Sequence, residues 1–445
     1  MLKGNLFINI LKFAIPLIIS GILQLLFNAI DMVVVGKFSG SASMAAVSST
    51  GSLINLITNL FIGLSVGTSV CIARRIGKGR LDDISKAVQT SISIAFLAGI
   101  VLTVFGISFS RKLLEWMKSP TDVIDLSTLY LRIYFTGMIA TMVYNFASAI
   151  LRARGDTKRP LIALSIAGIM NAVLNLFFVV TLKMDVAGVA LASSLSSYIS
   201  AILVLIVLIT NPDMVQVDIR NLYIDKEALG EIVRVGVPAG IQGIVFSLSN
   251  VAIQSSVNSF GSVVMAGNGA AASIEGFVYN AMNAFYQTCL TFTSQNVGAG
   301  QIKRSGKILA VCELLVLMTG FTLGHGVYFN GETFLKIYAD DPEVIAAGMI
   351  RMYYVCRLYF LCGMMDVFVG SLRGMGSSIL PMIVSLLGAC AFRLVWIATY
   401  FKTHYDIRNL YVSYPISWIL TGSVHFMMIL LVYIRLKRKQ NKRSV

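Results

Sequence analysis

Twelve apolar runs of roughly twenty residues, parted by short polar breaks, constrain this chain more than any motif in it. Each run is long enough to cross the hydrocarbon core of a bilayer. Water is absent there, so backbone N–H and C=O groups must pair within the chain, and a helix pairs them segment by segment. The runs fall at 13–35, 46–72, 87–109, 126–150, 160–182, 187–210, 233–259, 267–296, 306–329, 343–371, 379–401 and 410–434. With 13% of residues charged and a mean hydropathy of +0.79, a soluble globular fold is excluded and an all-α membrane protein is expected. The first run is too long for a cleaved leader, contains Asp31 and lacks a small-residue cleavage site, so it is expected to stay attached.

Lys and Arg orient the runs. If the amino terminus is cytoplasmic, 24 of the 36 basic residues fall on inner segments and 8 on outer loops, with 4 inside spans. That bias predicts both termini in the cytoplasm. The net charge of +15 is then mostly a topology signal, and the tail RLKRKQNKRSV reads as a basic cytoplasmic end, with no nucleic-acid partner. Cys71, Cys289, Cys312, Cys356, Cys362 and Cys390 all lie in expected spans without a CxxC pair. They read as small packing residues, and neither a disulfide framework nor a metal site is expected.

The chain is also written twice. LRARGDTKRP at 151–160 and LRGMGSSILP at 372–381 share Leu, Arg, Gly and Pro at a separation of 221 residues. The same offset sets ARRIGKG (73–79) on SQNVGAG (294–300), and an offset of 222 sets PLIISGILQLLFN (16–28) on PAGIQGIVFSLSN (238–250). Each half therefore holds six spans, and an even number makes the halves parallel repeats about a pseudo-twofold axis along the membrane normal. Transporters that rock two bundles about a central cavity are built this way. The expected organisation is an amino-terminal lobe at 1–210, a cytoplasmic linker at 211–232, a carboxy-terminal lobe at 233–434 and the basic tail at 435–445.

Duplication supplies an internal control on intramembrane polar residues. Asn28 has a twin in Asn250, yet Asp31 stands opposite Ile253, so the fold itself does not require that acid. A charge near the membrane interior costs ~2.5 to 3.5 kcal/mol on insertion scales and is expected to face a cavity and have a use. Asn171 and Asn175, spaced i, i+4 on one helical face, have partners near Arg393 and Ile397 and are likewise confined to the first half. Glu275, opposite Ile54, is a second candidate cation-binding carboxylate. Arg132, Arg351, Arg357 and Arg393 offer partners for Glu275, Glu313 and Asp366, and Glu313 is expected to reach the interface or an Arg. Pro16 and Pro238 are twins read as lying one turn into spans one and seven, where Pro16 is a candidate helix bend in the span that carries Asp31. A P-loop, an H-E-x-x-H motif, paired catalytic aspartates with glycine and a Ser/His dyad are all missing, which argues against ATP as the energy source and against an intramembrane enzyme. A channel fits an asymmetric acidic pocket in a duplicated bundle less well than alternating access does.

The six-plus-six duplication, P-x-x-x-x-G-x-x-x-x-x-x-N-x-x-D-x-x-x-x-G at 16–36, LRARGDTKRP, N-x-x-x-N at 171–175 and QNVGAG at 295–300 together resemble the multidrug and toxic compound extrusion (MATE) transporters, closest to their DinF-like bacterial branch. The resemblance implies a twelve-helix, two-lobe fold in the bacterial cytoplasmic membrane, working as a monomer among membrane lipids. It implies export of small cationic or amphipathic molecules in exchange for H+ or Na+, with no cofactor and no metal beyond a possible Na+ at Asp31. Asp31 then corresponds to the family's first-span acid, Asn171 and Asn175 to its fifth-span pair, and Gln24 and Ser193 to polar pocket-lining positions. Position 175 is often Asp in relatives, so Asn there argues against a two-carboxylate coupling site in this lobe and leaves Asp31 to act alone. A lipid or lipid-linked oligosaccharide flippase of the same superfamily is the nearest alternative, and it would need several cationic residues for pyrophosphate.

Overall fold

The computed structural model describes residues 1–117, 119–120, 123–211 and 216–441. Lys118 of an expected outer loop, 212–215 of the expected linker, and 442–445 of the tail, with Lys442 and Arg443, lie outside the described residues. The first half contains α1 (Leu6–Phe38), α2 (Ser41–Lys78), α3 (Leu81–Trp116), α4 (Ile124–Thr136), α5 (Met138–Arg154), α6 (Lys158–Asn175) and α7 (Asp185–Thr210). The second contains α8 (Lys226–Asn258), α9 (Ser262–Gly298), α10 (Ile302–Phe329), the short α11 (Gly331–Leu335), α12 (Pro342–Tyr354), α13 (Phe360–Gly374), α14 (Ile379–Ser385), α15 (Phe392–Trp396) and α16 (Ile407–Asn441). Among the described residues nine helices are long and apolar enough to cross a membrane, and ten if α4 and α5, bent by 47° at Gly137, count as one pass. The other two expected passes, 267–296 and 343–371, lie in α9, which carries Asn268, Glu275, Asn280, Asn283 and Gln287, and across the interrupted pair α12 and α13.

The duplication is visible in the backbone. Gly40 and Gly261, Gly79 and Gly300, and Gly155 and Gly376 all adopt positive φ, at 88° and 95°, 73° and 73°, and 98° and 98°. Each pair is 221 residues apart, and each marks a turn where a side chain would be strained. The π-helical turns Leu176–Thr181 and Ile397–Phe401 start at the same separation. A further π turn, Leu386–Ala391, has an α-helical counterpart in the first half.

Two compact units emerge from the packing: Ile22–Gly240, and Met1–Gly21 with Ile241–Val445. The changeovers therefore fall inside α1 and α8, not in the linker expected at 211–232. Each lies just past one of the twin prolines, whose missing N–H removes a rung of the helical hydrogen-bond ladder. Pro16 is nearly three turns into α1 rather than one, because the helix starts at Leu6. The helix runs on through it, and Ser20 Oγ donates to the Pro16 carbonyl at 2.8 Å.

In the unit Ile22–Gly240, α2 meets the first part of α8 backbone to backbone. A Cβ on Gly236 would sit 2.6 Å from Leu64 Cα and one on Gly240 would sit 2.6 Å from Leu60 Cα, while Gly63 abuts the Gly240 backbone and Gly67 the Ile232 carbonyl. Such paired small-xxx-small faces let helices approach closely where lipid offers no hydrophobic drive. In the other unit, the first part of α1 packs side chain against side chain. Ile10, Phe13 and Leu17 join Phe285, Cys289 and Phe292, with Phe13 edge-on to Phe292 at 5.4 Å. Replacing Gly67 with Leu is expected to destabilise the protein by about 1–3 kcal/mol through overpacking. Gly51→Ala, where a Cβ meets nothing within 4 Å, is expected to be neutral, and thermal melts of the two purified variants check both.

Candidate functional site

Asp31 of α1 is held by α6 and α7. Its Oδ1 accepts from Asn175 Nδ2 at 2.5 Å and its Oδ2 from Ser193 Oγ at 3.1 Å. Asn175 Nδ2 also lies 3.1 Å from Asn171 Oδ1, and Asn171 Nδ2 lies 3.5 Å from Ser193 Oγ. The four side chains close a ring. The i, i+4 spacing sets both amides on one face of α6, where Asn175 reaches the carboxylate and Asn171 braces Asn175 and Ser193, and α6 passes into its π turn immediately after Asn175. π turns of this kind recur at functional positions. Gly168, one turn before Asn171, leaves the space in which the Phe27 ring of α1 lies, which seats α1 against α6 beside the ring of polar groups.

Asn171 and Asn175 are buried and Asp31 is half-buried. A carboxylate accepts hydrogen bonds only, so the amide NH2 of Asn175 must face it. That leaves Asn175 Oδ1 buried with no partner. The unspent acceptor, the Asp31 carboxylate, Asn171 Oδ1 and Ser193 Oγ make a set of oxygen donors suited to a hard cation.

A half-open cavity of about 660 Å³ adjoins the ring, a volume that suits a drug-sized molecule. Gln24, Phe27, Asn28 and Asp31 line one side, with Asn55, Tyr130, Tyr134, Tyr144, Asn145 and Asn171 around them. Ser193, Ser196, Ser197 and Ser200 of α7 continue the wall, and among the described residues no Lys or Arg lines the cavity. Tyr130 and Tyr134 stack with centroids 5.7 Å apart and offer ring faces to a cation.

The MatE family model matches residues 16–177 and again 238–399, once in each half. The chain belongs to the MatE family. It is similar to the probable multidrug resistance protein YoeA of Bacillus subtilis, at 26% identity over 94% of this chain and 92% of that one. It is also similar to the probable multidrug resistance protein NorM of Thermotoga maritima, at 23% identity over 87% and 84%. Its fold matches a solved outward-facing multidrug resistance MATE family transporter with a TM-score of 0.91, at 20% identity over 98% of both chains.

Within this MatE chain the structure gathers Asp31, Asn171, Asn175 and Ser193 into one ring and sets Gln24 on the same cavity. It does not bring Glu275 there. Glu275 lies on α9 in the other unit, where Arg351 Nε and Nη2 grip its two oxygens at 2.9 and 2.6 Å. Arg351 Nη1 donates to Asn268 Oδ1 at 2.8 Å, and Tyr411 Oη donates to the same oxygen at 3.0 Å. A guanidinium already supplies the counter-charge, so Glu275 is a structural ion pair and not a second cation seat. Arg393 stacks instead on Tyr414 at 4.2 Å and bonds Ser417. Glu313 reaches no Arg, and both its oxygens are buried without a partner.

Tyr130, Tyr134, Tyr144, Asn55 and the α7 serines Ser196, Ser197 and Ser200 escaped the sequence reading. The i, i+4 pair Tyr130 and Tyr134 was the one signal available for them, and such pairs are common on packing faces. Glu275→Gln is expected to leave Arg351 buried without its charge partner and to cost about 3–5 kcal/mol. Asn171→Ala should cost much less, and comparison of thermal melts in detergent checks the ranking.

Proposed function

We propose that this chain is a secondary active multidrug exporter that moves organic cations and amphipathic compounds by alternating access, in antiport with H+ or Na+. The observation that carries the reading is a lone carboxylate, Asp31, bonded only to neutral groups at the edge of a 660 Å³ cavity. Burial disfavours a bare charge, and a proton, a Na+ ion or a cationic cargo each neutralises it. The three therefore compete for one seat. Arrival of the coupling ion displaces the cargo, and the neutralised site favours the opposite-facing state because each ligand shifts the equilibrium by its differential affinity.

The chain works as a monomer in the bacterial cytoplasmic membrane, with both ends in the cytoplasm as the excess of inner Lys and Arg supports. The names of the YoeA and NorM relatives support multidrug substrates. A flippase for pyrophosphate-linked lipids is disfavoured because, among the described residues, no basic residue lines the cavity.

In proteoliposomes, Asp31→Asn is expected to abolish ion-driven efflux of a cationic dye while leaving the protein folded. Undiminished gradient-driven efflux would remove Asp31 from the mechanism. Imposing the pH and Na+ gradients separately on the wild type identifies the coupling ion, and Asn175→Ala should weaken coupling to Na+ more than to H+, since it removes an oxygen donor.

A further inference from the structure

The pass formed by α12 and α13 is interrupted between Tyr354 and Phe360, and Arg357 sits in the gap. Its guanidinium carbon lies 4.6 Å from the centre of the Tyr353 ring and 5.3 Å from that of Tyr328. The two rings meet edge to face at 5.8 Å. Gly324 of α10 makes the cage possible: a Cβ there would collide with the Cys356 carbonyl, so α10 rests its backbone on the gap and brings Tyr328, one turn later, to the arginine. Among the described residues the Arg357 side chain has no carboxylate partner and no hydrogen bond, and its Nε is buried and unpaired.

The first half shows what the fold alone needs at this place. Thr136, 221 residues earlier, occupies the α4–α5 kink, and its carbonyl is satisfied by Tyr198 Oη at 2.9 Å. Ile419 stands where Tyr198 would be in the second half, and a cation has been added instead. Phe321, Leu323, Phe329 and Leu358 around it are exposed apolar side chains, the surface that an integral membrane protein turns to acyl chains. Arg357 falls inside the expected span 343–371, but its partner Tyr328 is the penultimate residue of α10, which sets the cage beside the end of that neighbouring pass, and tyrosines concentrate where passes end and headgroups begin.

A guanidinium on such a surface, with no protein anion, is matched by an anion from the lipid. Its planar fork fits a phosphate with two parallel hydrogen bonds, while the two rings shield its faces. We propose that Arg357, caged by Tyr328 and Tyr353, is a phospholipid site that holds the headgroup phosphate.

The test uses the full chain, delipidated in detergent and titrated with phosphatidylglycerol, the matching diacylglycerol, or inorganic phosphate, read by native mass spectrometry and by thermal melting. Phosphatidylglycerol is expected to bind one to one and raise the melting temperature, and the other two are not. Arg357→Met should weaken phosphatidylglycerol binding about tenfold, the loss of a charge-assisted pair, and Tyr353→Leu should weaken it less. Unchanged binding by Arg357→Met overturns the proposal. Equal stabilisation of the wild type by diacylglycerol or by inorganic phosphate overturns it whether or not the variants fold.

Discussion

Inside a bilayer the protein must satisfy its own polar groups, and the buried charges here are satisfied in two ways, by an opposite charge or by neutral dipoles. Glu275 is neutralised by a fixed guanidinium, with Asn268 and Tyr411 completing the network. Arg373 is met by Gln242 and Tyr286 at 2.8 and 2.6 Å. Asp31 is met by one amide and one hydroxyl. Dipoles hold a carboxylate in place without cancelling its charge, so Asp31 retains an attraction for a mobile cation that Glu275 has lost to Arg351.

The two halves share a backbone plan down to the φ angles of their turn glycines, and their differences are chemical. Asp31, Asn171 and Asn175 are present in one half and replaced in the other, whereas Arg357 belongs to the second half alone. Duplication followed by divergence gives one bundle an acidic cavity and the other a network of paired charges. The proposed exchange at a single seat needs no more than one such cavity.

Helices were readable because hydrocarbon thickness fixes the length of an apolar run, and the repeat because its offset survives in turn residues. Asp31, Asn171 and Asn175 stood out as polar residues in apolar runs without a twin, and Gln24 and Ser193 entered through family resemblance. Glu275 was misread for a physical reason. Its partner is 76 residues away, and no helical period reports which face of a distant helix will meet it. The tyrosines and the remaining serines of the cavity were silent because such residues are also ordinary packing material in spans. The changeovers at Gly21 and Gly240 were equally silent, since a helix that changes allegiance midway keeps its apolar pattern throughout.

The π turn that follows Asn175 also forms the last turn of that helix, from which the chain passes into α7. A π turn carries one residue more than an α turn, which offsets the angular phase of everything downstream by about 100°. The amides upstream and the approach to α7 downstream are thus indexed independently. Loss or gain of a single residue within Leu176–Thr181 would re-aim the connection into α7 while the asparagines upstream stayed put.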